Sequence, residues 1–429
     1  MPAKSLKDWC AWLETLNPNE IELGLERVSA VAESLNLLSV KPRVITVAGT
    51  NGKGSTIAAI ESIFLALGAK IGTYTSPHIY QYNERIRING RECVDEEIVE
   101  AFELVEVARS AIPLTYFEYT TLAALIIFSK QDLDYLLLEV GLGGRLDAVN
   151  IVTADIAVIT SISIDHTDWL GSDREQIATE KAGILRPGKL FICADNNPPK
   201  TLKNISKELE CQSYWQGQDF SWQENDQVWS WQGLNLQGLS IEIQNLPLGQ
   251  LMPDNLSAAI QTVCLAEKVP RTATLQRVFA DLKLTGRQQR CKLQNIEYIL
   301  DVSHNLAAVE ALNKTLVENP VSGRTGAVFS AMSGKDIHGM IKAVASSIEA
   351  WFVADLPKVA KAAKGSELAA VLQDCGVQMI SVNKNPKQAL RRAQSLMGPG
   401  DRLVVFGSFH TISEVKPALD KDSKRALSE

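Results

Sequence analysis

The sequence predicts an α/β protein with two domains, and three observations support this prediction. With 429 residues, the chain exceeds the size at which a single hydrophobic core stops growing. Apolar, β-rich runs alternate with segments of helical periodicity in the first half of the chain. The same alternation starts again after the polar stretch Leu284 to Arg290, which we interpret as an interdomain linker. Alternation of this kind is typical of a mostly parallel sheet that helices cover on both faces.

The first domain, predicted at residues 1–285, contains the apolar runs expected of buried strands. These strands are predicted at Arg43 to Ala48, Tyr135 to Val140 and Ile156 to Ile162. Helical periodicity is present at Ser55 to Leu67, Asp95 to Ser110 and Thr121 to Lys130. The segment Gln212 to Leu248 differs, because four tryptophans lie there among polar residues without helical periodicity. We interpret it as short antiparallel strands at a sheet edge, with the tryptophans packed rather than stacked on a ligand.

The second domain, predicted at residues 286–429, repeats the pattern on a smaller scale. Its strands are predicted at Tyr298 to Val302, Gly326 to Ser330, Trp351 to Ala354, Gln378 to Val382 and Arg402 to Phe406. Helical segments separate these runs, which indicates a Rossmann-like domain. The charged residues after Lys416 are predicted to form a frayed tail.

Composition limits the partners of the protein. The formal net charge of -7 and the isoelectric point near 5.5 argue against nucleic acid or an anionic membrane as the main partner. No apolar stretch is long enough to cross a bilayer, and the first residues lack the apolar run of a signal peptide. The seven cysteines are scattered and never form C-x-x-C, which favours reduced thiols over a zinc site. We therefore expect a cytoplasmic protein.

The strongest local signal is a glycine-rich loop between a predicted strand and a predicted helix. Glycines allow successive backbone N–H groups to face one concavity, and the following helix N-terminus adds positive potential. Lys53 is placed to contact the β- and γ-phosphates of a nucleotide, which makes this a P-loop ATPase domain. The candidate nucleotide-binding residues are Gly49, Thr50, Asn51, Gly52, Lys53, Gly54, Ser55 and Thr56.

This loop departs from the ordinary pattern G-x-x-x-x-G-K-[ST], because Gly54 replaces the hydroxyl residue that binds Mg²⁺. Ser76, just after the next strand, is a candidate for that hydroxyl. Two other nucleotide-binding classes are excluded by their motifs. A GTPase requires N-K-x-D, and the run Asn383 to Pro386 lacks the aspartate. A dinucleotide enzyme requires G-x-G-x-x-G, and the run Gly141 to Leu146 lacks the third glycine.

Three further side chains lie behind strands of the same predicted sheet. Glu139 ends a buried strand, where a carboxylate is costly unless it is paired or bound to a metal. His166 follows the next strand, and Lys181 lies at the end of a helix. A structural histidine and a surface lysine paired with Glu175 or Glu180 are the alternatives. The grouping favours a joint magnesium site.

Several motifs together resemble one family. They are Thr50 to Ser55, Ser76 to His78, Leu114 to Tyr119, Leu138 to Ala148, Asp165 to Thr167, Glu180 to Ile184 and Gly407 to His410. Their combination resembles the folylpolyglutamate synthase/dihydrofolate synthase family of the Mur-ligase superfamily. The resemblance implies a ligase reaction in which ATP phosphorylates a carboxylate of the acceptor. The amine of glutamate then attacks the acyl phosphate, and phosphate leaves.

The resemblance also implies how metal is held. Lys53, Glu139, His166 and Lys181 would be the catalytic residues. Ser76 and Glu139 would hold one Mg²⁺, while Glu139, His166 and Lys181 would hold a second. An ammonium group cannot coordinate a metal, and the resemblance implies that Lys181 is carbamylated by CO₂.

Four residues would contact the nucleotide by the same resemblance. Asn255 would contact adenine, Arg287 would contact phosphate, and Asp301 and His304 would face the nucleotide. The family pattern D-x-A-H-N-P is altered here at Ser303 and Leu306. Lys335 and Asp336 resemble a K-D pair that either contacts glutamate or stabilises its own loop.

The acceptor is expected to be dihydropteroate or a reduced folate, so we predict a bifunctional enzyme. The segment Ile21 to Val28, with Arg27, could fold over a pterin, although its apolar spacing also permits an amphipathic helix packed on the core. Phe117 is suited to stacking and Glu118 to pterin N–H groups. Asp147 and Ala148 would lie nearby.

Three alternatives remain open at this point. They are a folylpolyglutamate synthase only, another Mur-type ligase, and a P-loop regulatory ATPase. Small molecules are the expected partners, and the protein is expected to be a monomer.

Overall fold

The computed structural model describes residues 4–17, 22–266 and 268–426. The chain divides into two compact units, Met1–Leu282 and Lys283–Glu429. Each unit has its own sheet and helices, as the alternation of strands and helices predicts. The prediction of a mostly parallel α/β fold is therefore confirmed.

The first unit contains an eight-stranded sheet and a separate three-stranded sheet. Its strands are β1 (Arg43–Ala48), β2 (Ile71–Tyr74), β3 (Ile86–Ile88), β4 (Arg91–Glu92), β5 (Tyr135–Glu139), β6 (Ile156–Ile159), β7 (Leu190–Cys193), β8 (Gln212–Trp215), β9 (Ser221–Asn225), β10 (Val228–Leu234) and β11 (Ser240–Pro247). Its helices are α1 (Leu6–Leu16), α2 (Glu26–Ser34), α3 (Lys53–Ala66), α4 (Asp95–Arg109), α5 (Tyr116–Ser129), α6 (Thr167–Leu170), α7 (Arg174–Ala182), α8 (Lys200–Glu208), α9 (Pro253–Leu265) and α10 (Thr272–Asp281).

The order of strands in the large sheet explains where a site can form. The order is β4-β3-β2-β5-β1-β6-β7-β8. Strands β2, β5, β1, β6, β7 and β8 are parallel to one another, while β3 pairs antiparallel with β2 and β4 pairs antiparallel with β3. Val47 of β1 lies opposite Glu139 of β5, so the loops after both strands start side by side. The carboxyl ends of β2, β5, β1 and β6 therefore meet at one edge, the usual ligand-binding edge of an open α/β sheet.

Burial in the first unit follows from the apolar content of its central elements. Strands β5 and β6 are buried along their whole length, as predicted for parallel strands that are covered on both faces. Helix α5 is buried from Glu118 to Phe128, since its sequence is apolar on nearly every side. It starts five residues before the predicted helix at Thr121, with Thr115 as its N-cap.

The tryptophan-rich segment differs from its prediction in one respect. Strand β8 is parallel to β7 at the edge of the large sheet, and β9, β10 and β11 form a separate antiparallel sheet. The predicted antiparallel strands at a sheet edge are therefore wrong for β8. Trp229 and Trp231 are buried in the small sheet, which agrees with the packing interpretation.

The second unit has a six-stranded sheet of order β12-β13-β17-β14-β15-β16. Its strands are β12 (Gln289–Leu293), β13 (Ile296–Leu300), β14 (Thr325–Phe329), β15 (Ala350–Ala354), β16 (Ile380–Asn383) and β17 (Arg402–Phe406), and its helices are α11 (Leu306–Glu318), α12 (Ile337–Val344), α13 (Gly365–Asp374), α14 (Pro386–Gln394) and α15 (Phe409–Ala426). Only β12 pairs antiparallel among the described strands of this sheet.

Two predictions for the second unit are wrong at their ends. The predicted linker up to Arg290 includes the first residues of β12, because Gln289 and Arg290 pair with β13. The predicted frayed tail after Lys416 continues helix α15 to Ala426, and apolar residues such as Leu419 are buried along it.

In the part of the chain that the structure describes, no helix is long and apolar enough to cross a membrane. All seven cysteines are unpaired by disulfides, as predicted.

Candidate active site

The glycine-rich loop links β1 to α3 and leaves the start of that helix uncapped. Gly52 is the N-cap residue, with a φ of 89° that favours glycine, and it provides no side-chain cap. The first N–H groups of α3 are therefore available to an anion, and the helix dipole favours negative charge there. The Lys53 Nζ donates to the carbonyl oxygens of Gly49 at 3.0 Å and Thr50 at 3.3 Å. The start of α3 is thus open in the way that phosphate binding requires, and the nucleotide-binding roles of the loop residues stay predictions.

Residues after β6 hold this loop in place. The Thr160 hydroxyl donates to the Asn51 carbonyl at 2.6 Å, and Thr50 N donates to the Ser161 carbonyl at 2.6 Å. A side chain at Gly49 would collide with Thr160, so glycine is required at that position. Sequence reasoning missed Thr160 and Ser161, although a polar run directly after a buried strand was a usable signal.

Ser55 and Thr56 occupy a different place from the rest of the loop. Both side chains are buried, and the Thr56 hydroxyl is sealed from solvent without a hydrogen-bond partner. The Thr56 N–H already donates to the Gly52 carbonyl at 2.9 Å. The structure therefore places Thr56 behind the loop, and its predicted role as a nucleotide contact stays a prediction. Gly54 offers no hydroxyl, as the sequence indicated.

Asn255 lies against the same loop. A Cβ atom added to Gly52 would collide with the Asn255 side-chain oxygen, so the two residues are in direct contact. The preceding residue, Asp254, is held by donors from three places: its Oδ1 accepts from Trp222 Nε1 at 2.8 Å, from Asn196 Nδ2 at 3.2 Å and from Gln216 Nε2. This network fixes the first turn of α9, and Trp222 gives the tryptophan-rich segment a polar function that sequence reasoning missed.

Ser76 and Glu139 lie together at the carboxyl ends of β2 and β5. The Ser76 N–H donates to Glu139 Oε2 at 3.1 Å, and Glu139 is only 4% exposed. A buried carboxylate is costly in itself, so a cation at this position would lower the cost of burying Glu139. Glu139 and the Ser76 hydroxyl supply oxygen donors, which are the ligands that Mg²⁺ prefers.

Lys181 is deeply buried, which excludes the surface alternative. Its exposed fraction is 3%. Burial, followed by repulsion from Lys53, lowers its pKa to about 7, although Asp165 and Asp147 act in the opposite direction. The two glutamates proposed as its surface partners are engaged elsewhere: Glu180 pairs with Arg145 at 2.9 Å, and Glu175 accepts from the backbone of α8. The alternative of a surface ion pair for Lys181 is therefore wrong, and its role at the metal site stays a prediction.

His166 follows Asp165 in a left-handed backbone conformation, with a φ of 51°. Its Nε2 lies 3.9 Å from the Asp165 carboxylate, and its side chain is 43% exposed. Among residues 4–17, 22–266 and 268–426, no three His, Cys, Asp or Glu side chains cluster as metal ligands. The role of His166 as a metal ligand stays a prediction.

The candidate acceptor residues Arg27 and Glu118 are in contact. The Arg27 guanidinium lies 3.1 Å from Glu118 and 2.6 Å from Glu22. Glu118 also accepts from Thr115 N at 2.7 Å, which closes a capping box at the start of α5. Ile21, at the start of the candidate segment, lies outside the described residues.

The amphipathic alternative for this segment is correct in part. Helix α2 starts at Glu26, with Leu25 as its N-cap and Leu23 before it. Val28 is fully buried on the core face of this helix. Residues 22–25 are thus not helical, and Arg27 lies on the first turn of α2 with its side chain toward Glu118.

Phe117, Asp147 and Ala148 surround the loop after β5. A side chain at Gly141 would collide with the Phe117 ring, so the ring covers this loop. Asp147 accepts from Leu142 N at 2.8 Å and from Val149 N at 3.1 Å. Burial raises the pKa of Asp147 to about 6, against the effect of these backbone donors. Ala148 is buried. The hydrogen bonds of Asp147 shape the loop after β5, and its role in binding the acceptor stays a prediction.

In the second unit, three predicted nucleotide residues lie close to one another. Asp301 accepts from the backbone N–H groups of Gln288 and Ser303, both at 2.7 Å. Burial raises the pKa of Asp301, although these hydrogen bonds act in the opposite direction. His304 Nδ1 lies 2.9 Å from the Val302 carbonyl and therefore carries the proton that it donates there.

Phe409 lies beside both His304 and Arg287, and no role was predicted for it from the sequence. Its ring centroid lies 5.9 Å from that of His304 and 5.0 Å from the Arg287 guanidinium carbon. It follows directly on the Gly407-Ser408 pair, which was a usable signal. Asp336 accepts from Gly339 N at 2.8 Å, so it caps α12 and stabilises its own loop.

Comparison with known proteins gives consistent matches across the chain. The Mur ligase middle domain matches residues 47–263, and the Mur ligase, glutamate ligase domain matches residues 286–409. The chain is 38% identical to the dihydrofolate synthase/folylpolyglutamate synthase of Escherichia coli (strain K12), covering 97% of this chain and 96% of the relative. It is 36% identical to the protein of the same name from Haemophilus influenzae, covering 95% and 96%.

Solved structures agree with these relatives. E. coli FolC in complex with DHPP and ADP is similar with a TM-score of 0.91 and 38% identity, covering 98% of both chains. A bifunctional folylpolyglutamate synthase/dihydrofolate synthase with Mn, AMPPNP and L-glutamate bound is similar with a TM-score of 0.89 and 37% identity, covering 97% of this chain and 98% of that chain.

Proposed function

The chain belongs to the dihydrofolate synthase/folylpolyglutamate synthase family of Mur ligases, and from this membership we propose that it is an ATP-dependent amide-bond ligase with two activities. It joins L-glutamate to dihydropteroate, which forms dihydrofolate, and it adds L-glutamate to reduced folates. The observation that carries the proposal is the grouping of the phosphate loop, Ser76 and Glu139 at one sheet edge, with Lys181 in electrostatic range of Lys53.

The reaction needs a polar site that stabilises transferred charge. A carboxylate of the acceptor receives the terminal phosphoryl group of ATP, and the amine of glutamate then displaces phosphate from the acyl phosphate. The uncapped amides of α3 and the Lys53 ammonium group stabilise the negative oxygens during the first step. Thr160 and Ser161 keep these donors in position, so little reorganisation is needed when charge develops.

ATP and a divalent metal ion are the cofactors, and the family member with Mn and AMPPNP bound supports this assignment. We infer two Mg²⁺ ions, which when bound would spread the charge of the phosphates. Ser76 and Glu139 would hold the first ion, and Glu139, His166 and Lys181 the second. A carbamate on Lys181 is supported by its burial and by its pKa of about 7, because only a neutral amine reacts with CO₂.

The roles of the two units are part of the proposal. The first unit, with the phosphate loop and Asn255, would be the ATP-binding domain. In the second unit, Arg287, Asp301 and His304 stay predicted nucleotide contacts. A monomeric, cytoplasmic enzyme whose partners are small molecules is the corresponding expectation.

Incorporation of labelled glutamate tests the two activities. The purified protein with ATP, Mg²⁺ and labelled glutamate should convert dihydropteroate to labelled dihydrofolate and should also extend tetrahydrofolate. Product only from tetrahydrofolate would leave a folylpolyglutamate synthase. Product from neither acceptor would contradict the proposed function.

Alanine at Arg27 or at Phe117 should impair dihydropteroate use more than tetrahydrofolate use. Arg27 orients Glu118, and Phe117 covers the loop after β5, so both changes alter the candidate pterin pocket. We expect kcat/KM for dihydropteroate to fall roughly 10- to 100-fold, as for loss of a charged hydrogen bond or a buried aromatic contact. Steady-state kinetics with both acceptors measures the difference. Arg91→Ala changes an exposed arginine and serves as the control. An equal loss with both acceptors would refute this pocket assignment.

Phenylalanine at Trp222 should weaken ATP binding and spare the other substrates. The change removes the indole N–H that Asp254 accepts, which loosens the first turn of α9 beside Gly52. Loss of one such hydrogen bond predicts a rise in KM for ATP of about 3- to 10-fold. Trp229→Phe is the matched control, because it removes an indole hydrogen bond to Pro247 elsewhere in the same small sheet. If both variants raise the KM for ATP equally, the effect belongs to the sheet and not to Asp254.

A further inference from the structure

Arg85 is a buried cation for which the described residues supply no anion. Its exposed fraction is 8%. The Arg85 Nε donates to His78 Nδ1 at 2.8 Å, and the guanidinium carbon lies 5.6 Å from the Tyr82 ring and 5.4 Å from the Tyr116 ring. Within the described parts of the chain, no carboxylate forms an ion pair or hydrogen bond with it. Arg87, two residues later, shows the usual solution, since it pairs with Glu61 at 2.8 Å.

The thiol and phenol groups around Arg85 are uncharged at neutral pH. Burial raises the pKa of the Cys10 thiol to about 11, against the effect of Arg85 itself. It also raises the pKa values of Tyr74, Tyr82 and Tyr116. A buried charge without a counter-charge is costly unless hydrogen bonds or a ligand compensate for it. One histidine and two aromatic faces compensate only in part.

The position of Arg85 places it between the two parts of the proposed site. Its carbonyl accepts from Thr75 N at 2.9 Å, and Thr75 precedes the candidate metal ligand Ser76. On the other side, Tyr116 precedes Phe117 at the start of α5. The backbone of Arg85 is therefore bonded beside the candidate metal ligand, and its guanidinium lies against the residue that precedes Phe117 of the candidate pterin pocket.

We propose that Arg85 binds the non-reacting carboxylate of the glutamyl residue that a folate acceptor already carries. This inference rests on the proposed function. A folate acceptor has two carboxylates on that residue, one that reacts and one that does not. Dihydropteroate has only the reacting carboxylate. Arg85 thus recognises the chemical group that distinguishes the two acceptors, and it is a specificity-determining residue for the second activity.

The test replaces Arg85 by glutamine and by lysine and measures both acceptors. For Arg85→Gln, we expect the KM for tetrahydrofolate to rise roughly 10- to 100-fold, as for a lost charge-assisted hydrogen bond, while dihydropteroate kinetics stay within about 3-fold. Arg85→Lys keeps the charge and should recover part of the tetrahydrofolate affinity. Equal losses with both acceptors, or no loss with either, would overturn the proposal.

A second measurement covers the case in which the variants do not fold. The unmodified enzyme is given a tetrahydrofolate whose non-reacting carboxylate is an amide. Its KM should rise by a similar factor, a result that needs no variant. Where Arg85→Gln folds, the amide should cause no further loss in that variant. An amide acceptor that binds as well as tetrahydrofolate would overturn the proposal. Failure of the unmodified enzyme to use either natural acceptor would instead contradict the proposed function.

Discussion

Alanine in place of Lys53 is expected to abolish ligase turnover, with a loss of roughly 10³-fold or more in kcat. The Lys53 ammonium group lies on the glycine-rich loop, where its Nζ donates to the Gly49 and Thr50 carbonyls. It supplies the positive charge that accompanies the phosphoryl group, and no other side chain of the loop from Gly49 to Thr56 carries a charge. Phosphate release with ATP, Mg²⁺, glutamate and acceptor measures the loss.

The control for this substitution is Lys130→Ala, which removes an exposed lysine from its ion pair with Glu100. Surface pairs of this kind contribute little, so we expect unchanged activity. Removal of one donor from a preorganised site lowers kcat by roughly 10²-fold or more. If Lys53→Ala kept more than about a tenth of the activity, its loss would be smaller than that, and the assignment of Lys53 to the phosphates would be wrong.

Alanine in place of Lys181 is expected to cause a loss of at least about 10²-fold, because it removes a proposed metal ligand. Short-chain carboxylates such as acetate should restore part of the activity by occupying the vacated position. Isotopically labelled bicarbonate should give a carbamate signal in the NMR spectrum of the unmodified protein and none in the variant. Lys189→Ala, which removes a half-exposed lysine paired with Asp155, is the matched control.

The pKa of Lys181 predicts how the carbamate signal depends on pH. Since burial lowers it to about 7, the amine is mostly neutral above pH 7 and mostly protonated below it. Carbamylation needs the neutral amine, so the carbamate signal at limiting bicarbonate should fall as the pH drops through about 7. Full activity of Lys181→Ala without added carboxylate would end the carbamate proposal.

The parts of the fold and site that depend on local signals could be predicted from the sequence. The strand before Gly49, the helix after Gly52 and the carboxylate at the end of β5 are all set by glycine spacing and apolar runs within a few residues. Because parallel strands end at a common edge, the closeness of Ser76 and Glu139 also follows from such signals. The α/β class and the order of its main elements depend on the same local signals, and the structure confirms both.

The features that were missed depend on contacts between distant parts of the chain. The family resemblance predicts Lys181 as a site residue, but its burial depends on the packing of the loop after β5 against α7, which no local signal shows. No sequence signal marks Arg85, because its neighbours come from separate segments of the chain. Among the described residues they are one histidine and two tyrosine rings, with no acidic partner. The link from Trp222 to Asp254 spans 32 residues and joins a strand of one sheet to a helix that supports another.

The strictness of coupling between ATP cleavage and amide-bond formation tests the central claim most directly. Phosphate release by the purified protein is measured with ATP and Mg²⁺, and then with glutamate, with acceptor, and with both added. A ligase should release phosphate at its full rate only when dihydropteroate or a reduced folate and glutamate are present together, in equal amounts with the amide product. Rapid release with neither substrate present would contradict the account and would indicate a P-loop regulatory ATPase.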